Sequence, residues 1–266
     1  MGRSVADLAM LLATQAGYDA RAPLSLGDDP SVFAQPLERD FSGARIGWLG
    51  DLGGHLPFEP GVLELCRNAL KVFETLGCRV DEARVDFAPD RMWRTWLAWR
   101  RFLVSGSLVA HYQDPRRRPL LKPEAVWEIE QGLATSALDV HDASVDRTAL
   151  YRAVLAAFEH FDFLVLPTAQ VFPFDVTQRW PKSIAGREMD TYHRWMEVVI
   201  LPTLTGCPAL SVPAGFASEG EAAGLPMGIQ IVGRPRDDLS VLQLGHAWDR
   251  ATDWARRVPP EPPRAA

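Results

Sequence analysis

The residues able to do chemistry in this chain are few and scattered. Lys71, Lys122 and Lys182 are its only lysines, so a desolvated lysine base beside a serine has just three places to stand. Lys71 falls in a helical stretch, Lys122 precedes a proline at a helix start and Lys182 sits in a WPKS loop; none is an evident base. GxSxG is absent, which removes the serine of a nucleophile elbow. Cys207, in TGCPAL, could act as a thiol nucleophile with a distant histidine, but a cysteine between a helix and a strand reads better as a small buried packing residue. DVHDASVD (139–146) offers three aspartates and a histidine, types that suit a metal. Asp142 and Asp146 stand four apart on the coming helix while Asp139 and His141 precede it, where acids favour a helix N-terminus; capping is the stronger reading. The histidines show no HExxH and no ligand spacing. RMWRTWLAWRRF (91–102) alternates tryptophan and arginine as single-strand binders do, yet Trp93, Trp96, Arg100 and Leu103 follow helical spacing and mark a packing face. PRRRP (115–119) reads as a solvated turn rather than an anion patch. The residues alone therefore give no complete catalytic set.

The elements that must position these groups are clearer. Ser4 stands at an N-cap position, Asp7 follows three residues on, and Val5, Leu8, Leu11 and Leu12 recur at helical spacing, so 3–17 is expected to be a helix whose apolar face needs a partner. Residues 17–43 lack a sustained period and read as a long loop. ARIGWLGD (44–51), a helix over 58–77 with Val62, Leu65, Ala69, Val72, Phe73 and Leu76 on one face, and CRVDEARVD form a strand–helix–strand unit, which predicts two parallel strands. Residues 89–161 read as helices, punctuated by Pro115, Pro119 and Pro123 and again by DVHD. FDFLVLPTA (161–169) is apolar throughout, as in a strand buried on both faces. A helix over 188–206 is expected to kink or end at Pro202. PALSVPAGF (208–216) and MGIQIVGRP (227–235) read as neighbouring strands, and 239–257 as a closing amphipathic helix.

Composition narrows the classes. The chain has 266 residues, 47% hydrophobic and 23% charged, which is a globular composition. Its net charge of −6 leaves no surplus for general phosphate contacts, so nucleic acid is not an expected partner. No apolar run reaches the roughly 18 residues of a membrane span. Three cysteines without CxxC spacing argue against a disulfide framework or a zinc site and fit a reducing cytoplasm.

Taken together, RSVADLAMLLATQAG, ARIGWLGD with LGCRVDEARVDF, FDFLVLPTA, and above all LPTLTGCPALSVPAGF followed by GLPMGIQIVGRPRDDLSVLQLGHAWD resemble the C-terminal half of the amidase signature family, the Ser-Ser-Lys amidohydrolases. The resemblance runs from Gly2 to about Trp254. It implies an α/β fold, a mixed β-sheet with helices on both faces, incomplete at its N-terminal side; residues 1–258 would form part of one amidase domain and 259–266 a disordered tail. It also implies acyl transfer, in which a serine attacks the amide, a lysine relays its proton through a second serine, and water releases the acid without metal or organic cofactor. Those serines, the lysine and the oxyanion-hole segment would lie upstream and map onto no residue here, so the isolated chain is expected to be inactive on its small-molecule amide. The loop after FDFLVLPTA and the stretch DTYHRWMEVV would lie near the acyl pocket, which nominates Thr168, Tyr192, Trp195 and Met196 as pocket-lining. An exposed sheet edge and the flank of helix 3–17 would favour self-association. The alternative is a non-catalytic module that pairs with a separate N-terminal half or binds another partner.

Overall fold

The computed structural model describes residues 1–254; the tail at 259–266 lies outside the described residues. Its elements run in the order α1 (Val5–Gln15), β1 (Arg45–Trp48), α2 (Val62–Ala69), α3 (Lys71–Thr75), β2 (Arg79–Glu82), α4 (Pro89–Gln113), α5 (Pro123–Leu133), α6 (Ala137–His160), β3 (Phe163–Pro167), β4 (Ser183–Ile184), β5 (Arg187–Glu188), α7 (Ile200–Thr205), β6 (Ala209–Phe216), β7 (Pro226–Val232) and α8 (Asp238–Thr252). Five strands make one sheet in the order β2-β1-β3-β7-β6, and β4 and β5 form a separate small hairpin.

The strand–helix–strand unit produces the expected parallel pair, with Arg45 to Trp48 registered against Arg79 to Glu82. β1 is also parallel to β3, whereas β7 runs antiparallel to both β3 and β6, so the sheet is mixed. Every residue of β3 is buried, as its uninterrupted apolar run requires of a strand covered on both faces. α2 packs on β3, β6 and β7, and α8 on β6 and β7; α4 lies against α5, α6 and α7. Trp248 of α8 and Phe73 of α3 meet with ring centroids 4.8 Å apart, both fully buried, and each such side chain contributes roughly 2–3 kcal/mol by leaving water.

The apolar face of α1 finds its partner at the far end of the chain. Val5 and Ala9 are buried, α1 contacts α8, and the N–H of Val5 donates to Asp249 Oδ2 at 2.7 Å. The Ser4–Asp7 capping box is present, with the Asp7 N–H donating to Ser4 Oγ at 3.1 Å and the Ser4 N–H to Asp7 Oδ2 at 3.2 Å.

Three local expectations are corrected. Residues 17–43 carry a 3₁₀ turn at Pro30–Ala34, which Asp29 caps. DVHD does not interrupt the helical region: α6 starts at Ala137, because Ser136 and Asp139 form a second capping box one turn earlier. Asp139 thus caps, but from inside the helix. Finally, 188–206 is not one helix. It begins on the last residue of β5 and goes on to a 3₁₀ segment at Arg194–Val199 and α7, and the break falls at Met196 (φ −115, ψ 21) rather than at Pro202. Pro202 is the third residue of α7, where the missing N–H would have had no intrahelical acceptor. The buried polar side chains of His193, Arg194 and Glu197, which must each reach a partner on another element, override the helical period here.

Candidate active site

A cleft of about 810 Å³ opens where β3 ends, bordered by the start of α1, the segment 168–174, the first half of β6 and the start of β7. Three strands bring two hydroxyls together on its surface. The Thr168 N–H donates to the Gly228 carbonyl at 2.9 Å, and Thr168 Oγ1 and Ser211 Oγ share a hydrogen bond of 3.1 Å in which either can donate. The pair meets across β7 only because Gly228 has no side chain: a Cβ there would lie 3.0 Å from Thr168 Oγ1 and 3.2 Å from Ser211 Oγ.

The rest of the wall is mainly apolar. Phe172 and Phe174 lie on the segment after β3, and the Phe174 ring meets Trp195 edge-on at 5.4 Å. That segment is held from beneath by two buried glutamines. Gln170 donates from Nε2 to the Pro57 carbonyl (3.0 Å) and accepts from the Val198 N–H (3.2 Å); Gln230 donates to the carbonyls of Pro167 (2.9 Å) and Val198 (3.3 Å). Glu59 accepts from the Phe172 N–H at 2.8 Å. Because all these donors and acceptors are satisfied, the wall is anchored to the sheet and to the segment carrying Trp195.

Of the residues nominated from sequence, Thr168 and Trp195 line this cleft. Tyr192 and Met196 are not among its lining residues. The Tyr192 hydroxyl donates to Glu128 Oε1 at 3.0 Å and accepts from Arg100 at 2.8 Å. Glu128, buried on α5, also takes Arg100 Nε at 2.6 Å and meets His193 Nε2 at 2.5 Å, while His193 packs against Trp96 and Trp127. Burial by itself would raise the Glu128 carboxyl, but the hydrogen bonds and charges of His193 and Arg100 outweigh it and hold Glu128 below the usual glutamate range. Burial raises the Tyr192 phenol. Met196 occupies the kink beside Trp195, its N–H donating to the His193 carbonyl at 2.9 Å.

A second buried carboxylate, Glu197, has the opposite balance. Burial raises it, and His55 Nε2 at 2.9 Å and Arg194 Nε at 3.3 Å compensate only in part. Ser211, Gly228, Gln170 and Gln230 were missed in the sequence. Gln230 had a legible signal, as the one amide in the apolar run MGIQIVG.

The arrangement can enclose an apolar group against aromatic rings and orient a polar one at the hydroxyl pair. No lysine lines it. Cys207 is buried and its thiol is raised by burial, which suppresses the thiolate a nucleophile needs. Among the described residues no group of three or more histidine, cysteine, aspartate or glutamate side chains is placed to hold a metal, and no helix is long and apolar enough to cross a membrane.

The model of the family described as Amidase matches residues 1–242. An acylamidase of Rhodococcus erythropolis is 28% identical over 261 residues, covering 97% of this chain and 52% of that protein. One component of the glutamyl-tRNA(Gln) amidotransferase of Chloroflexus aurantiacus is 30% identical over 282 residues, covering 97% and 55%. The chain therefore spans about half the length of the curated relatives it matches. Among solved structures, a bacterial aryl acylamidase of the amidase signature enzymes aligns with a TM-score of 0.81 at 25% identity, covering 95% of this chain and 52% of that one. The corresponding amidotransferase component of Thermotoga maritima shares the fold at 21% identity, with a TM-score of 0.69, covering 93% and 51%.

Proposed function

We propose, from the premise that this chain belongs to the amidase family, that it supplies the acyl-side wall of an amide-hydrolysing site whose nucleophile and base come from a segment beyond these 266 residues. The observation that carries this reading is the cleft at the end of β3, with aromatic walls, a hydroxyl pair and no lysine. In the family's chemistry a serine oxygen adds to the amide carbon, a lysine takes its proton through a second serine, the amine leaves with that proton, and water then cleaves the acyl ester to the acid. Here Phe172, Phe174 and Trp195 would enclose the acyl group, and Thr168 with Ser211 would orient a polar atom next to it. Tyr192 would act at one remove, holding the segment that carries Trp195, with Met196 at the kink that follows it. An acyl amide with a bulky apolar acyl part is the substrate class that fits, in keeping with the acylamidases among the relatives.

The test is hydrolysis of a panel of acyl anilides by this chain alone and by the chain joined to the N-terminal half of the Rhodococcus acylamidase. The expected result is no turnover alone and measurable turnover when joined, reduced by Trp195→Ala. Inhibitor-sensitive turnover by the chain alone would refute the proposal, as would a joined protein that turns over normally with Trp195 removed.

A further inference from the structure

A separate cavity of about 480 Å³ lies where α4, α6 and α7 meet, and its polar lining consists mainly of donors. Arg100 and Arg147 stand on it beside Trp96 and Trp99, with Leu103 and Leu204 as apolar lining, and no aspartate or glutamate borders it. Arg147 Nε donates to the Leu204 carbonyl at 2.6 Å, and the guanidinium lies 6.0 Å from the Trp99 ring centroid. No carboxylate pairs with Arg147 among the described residues. Arg100 is 5.4 Å from the Trp96 ring centroid and is already committed to Glu128 and Tyr192. The indole Nε1 of Trp99 is buried without a hydrogen-bond acceptor.

An unpaired guanidinium at the mouth of an apolar cavity favours an anion, and its planar fork matches a carboxylate in particular. The two indoles and the aliphatic side chains require that the anion carry a flat apolar body, which a bare inorganic anion lacks. We propose that this cavity binds a small aromatic carboxylate, the acid group on Arg147 and the ring between Trp96 and Trp99. The site is independent of the cleft and of the amidase reading: no residue lines both cavities.

The experiment is calorimetric titration of the 266-residue chain with benzoate, set beside benzamide, which has the ring without the charge, and acetate, which has the charge without the ring. Benzoate should bind, with benzamide and acetate each weaker by roughly tenfold or more. Arg147→Gln should weaken benzoate by roughly tenfold or more, and Arg147→Lys less, because the charge remains and the fork is lost. If Arg147→Gln does not fold by circular dichroism, Leu103→Glu serves instead, since Leu103 is 57% exposed and a carboxylate there should repel the ligand. Trp195→Ala, in the cleft, should leave benzoate affinity unchanged. Absence of benzoate binding, equal binding of benzamide, insensitivity to both Arg147→Gln and Leu103→Glu, or loss of binding in Trp195→Ala would each overturn the proposal.

Discussion

At the scale of single residues, Gly228 decides the shape of the cleft's polar surface. An added Cβ would fall 3.0 to 3.2 Å from Thr168 Oγ1, the Val212 carbonyl and Ser211 Oγ, and two of those three are strand-bound. Gly228→Ala is therefore expected to part the two hydroxyls and cost about 1–2 kcal/mol, read as a lower urea midpoint with an unchanged slope. The buried glutamates respond to pH with opposite sign. Glu128 is held below its unfolded value, so its contribution to stability is complete above the ordinary glutamate range and is lost as pH falls through and below it. At neutral pH Glu128→Gln should cost about 3 kcal/mol by leaving Arg100 and His193 poorly matched, and the gap to wild type should close on acidification, as followed by urea unfolding from pH 7 to pH 3. Glu197 is raised, so its ionisation opposes folding as pH climbs above the ordinary range. Glu197→Gln should thus reduce the loss of stability that sets in as pH rises through the ordinary glutamate range, read by urea unfolding, and change little below that range.

At the scale of elements, a glycine lets α4 and α5 approach closely. Gly132 of α5 lies against the Arg101 carbonyl and the Ser105 side chain of α4, and a Cβ there would run into both. Alanine ordinarily gains about 1 kcal/mol over glycine inside a helix, but the overlap with backbone outweighs that gain. Gly132→Ala is expected to destabilise by about 1–3 kcal/mol and lower the melting temperature in a thermal scan. The same scale shows what a linear pattern conveys. The helix read over 58–77 falls into α2 and α3 on either side of Leu70. α1 and β6 were legible because each obeys one period, and β3 because its apolar run is unbroken. The segment 188–206 was not, since His193, Arg194 and Glu197 are buried by contacts with residues such as Glu128 and His55, remote in sequence. The site divides likewise: Thr168 follows directly from the end of a legible strand, whereas the hydroxyl pair needs the register of three strands, which no local pattern encodes.

At the scale of the whole molecule, the sheet is graded from centre to edge. β3 is covered throughout, while β2, at one end of the sheet, keeps Arg79, Asp81 and Glu82 exposed. Those charges blunt one edge against pairing with another chain, and at the other end Pro213 and the irregular register before Gly215 do the same for β6. Native-state hydrogen exchange should show the β3 and β7 amides opening only with global unfolding and the β2 amides exchanging earliest in the sheet; equal protection across all five strands would contradict that gradient.

The bond from the Val5 N–H to Asp249 joins residues 244 positions apart. During synthesis at roughly 5–20 residues per second, α1 emerges on the order of 10–50 s before the helix that covers it. Through that interval Val5 and Ala9 have no α8 to rest on, so a helix made well before its partner docks late. Over that interval the nascent chain offers a chaperone an amphipathic target, and a product cut short within α8 keeps an α1 whose α8-facing side is uncovered.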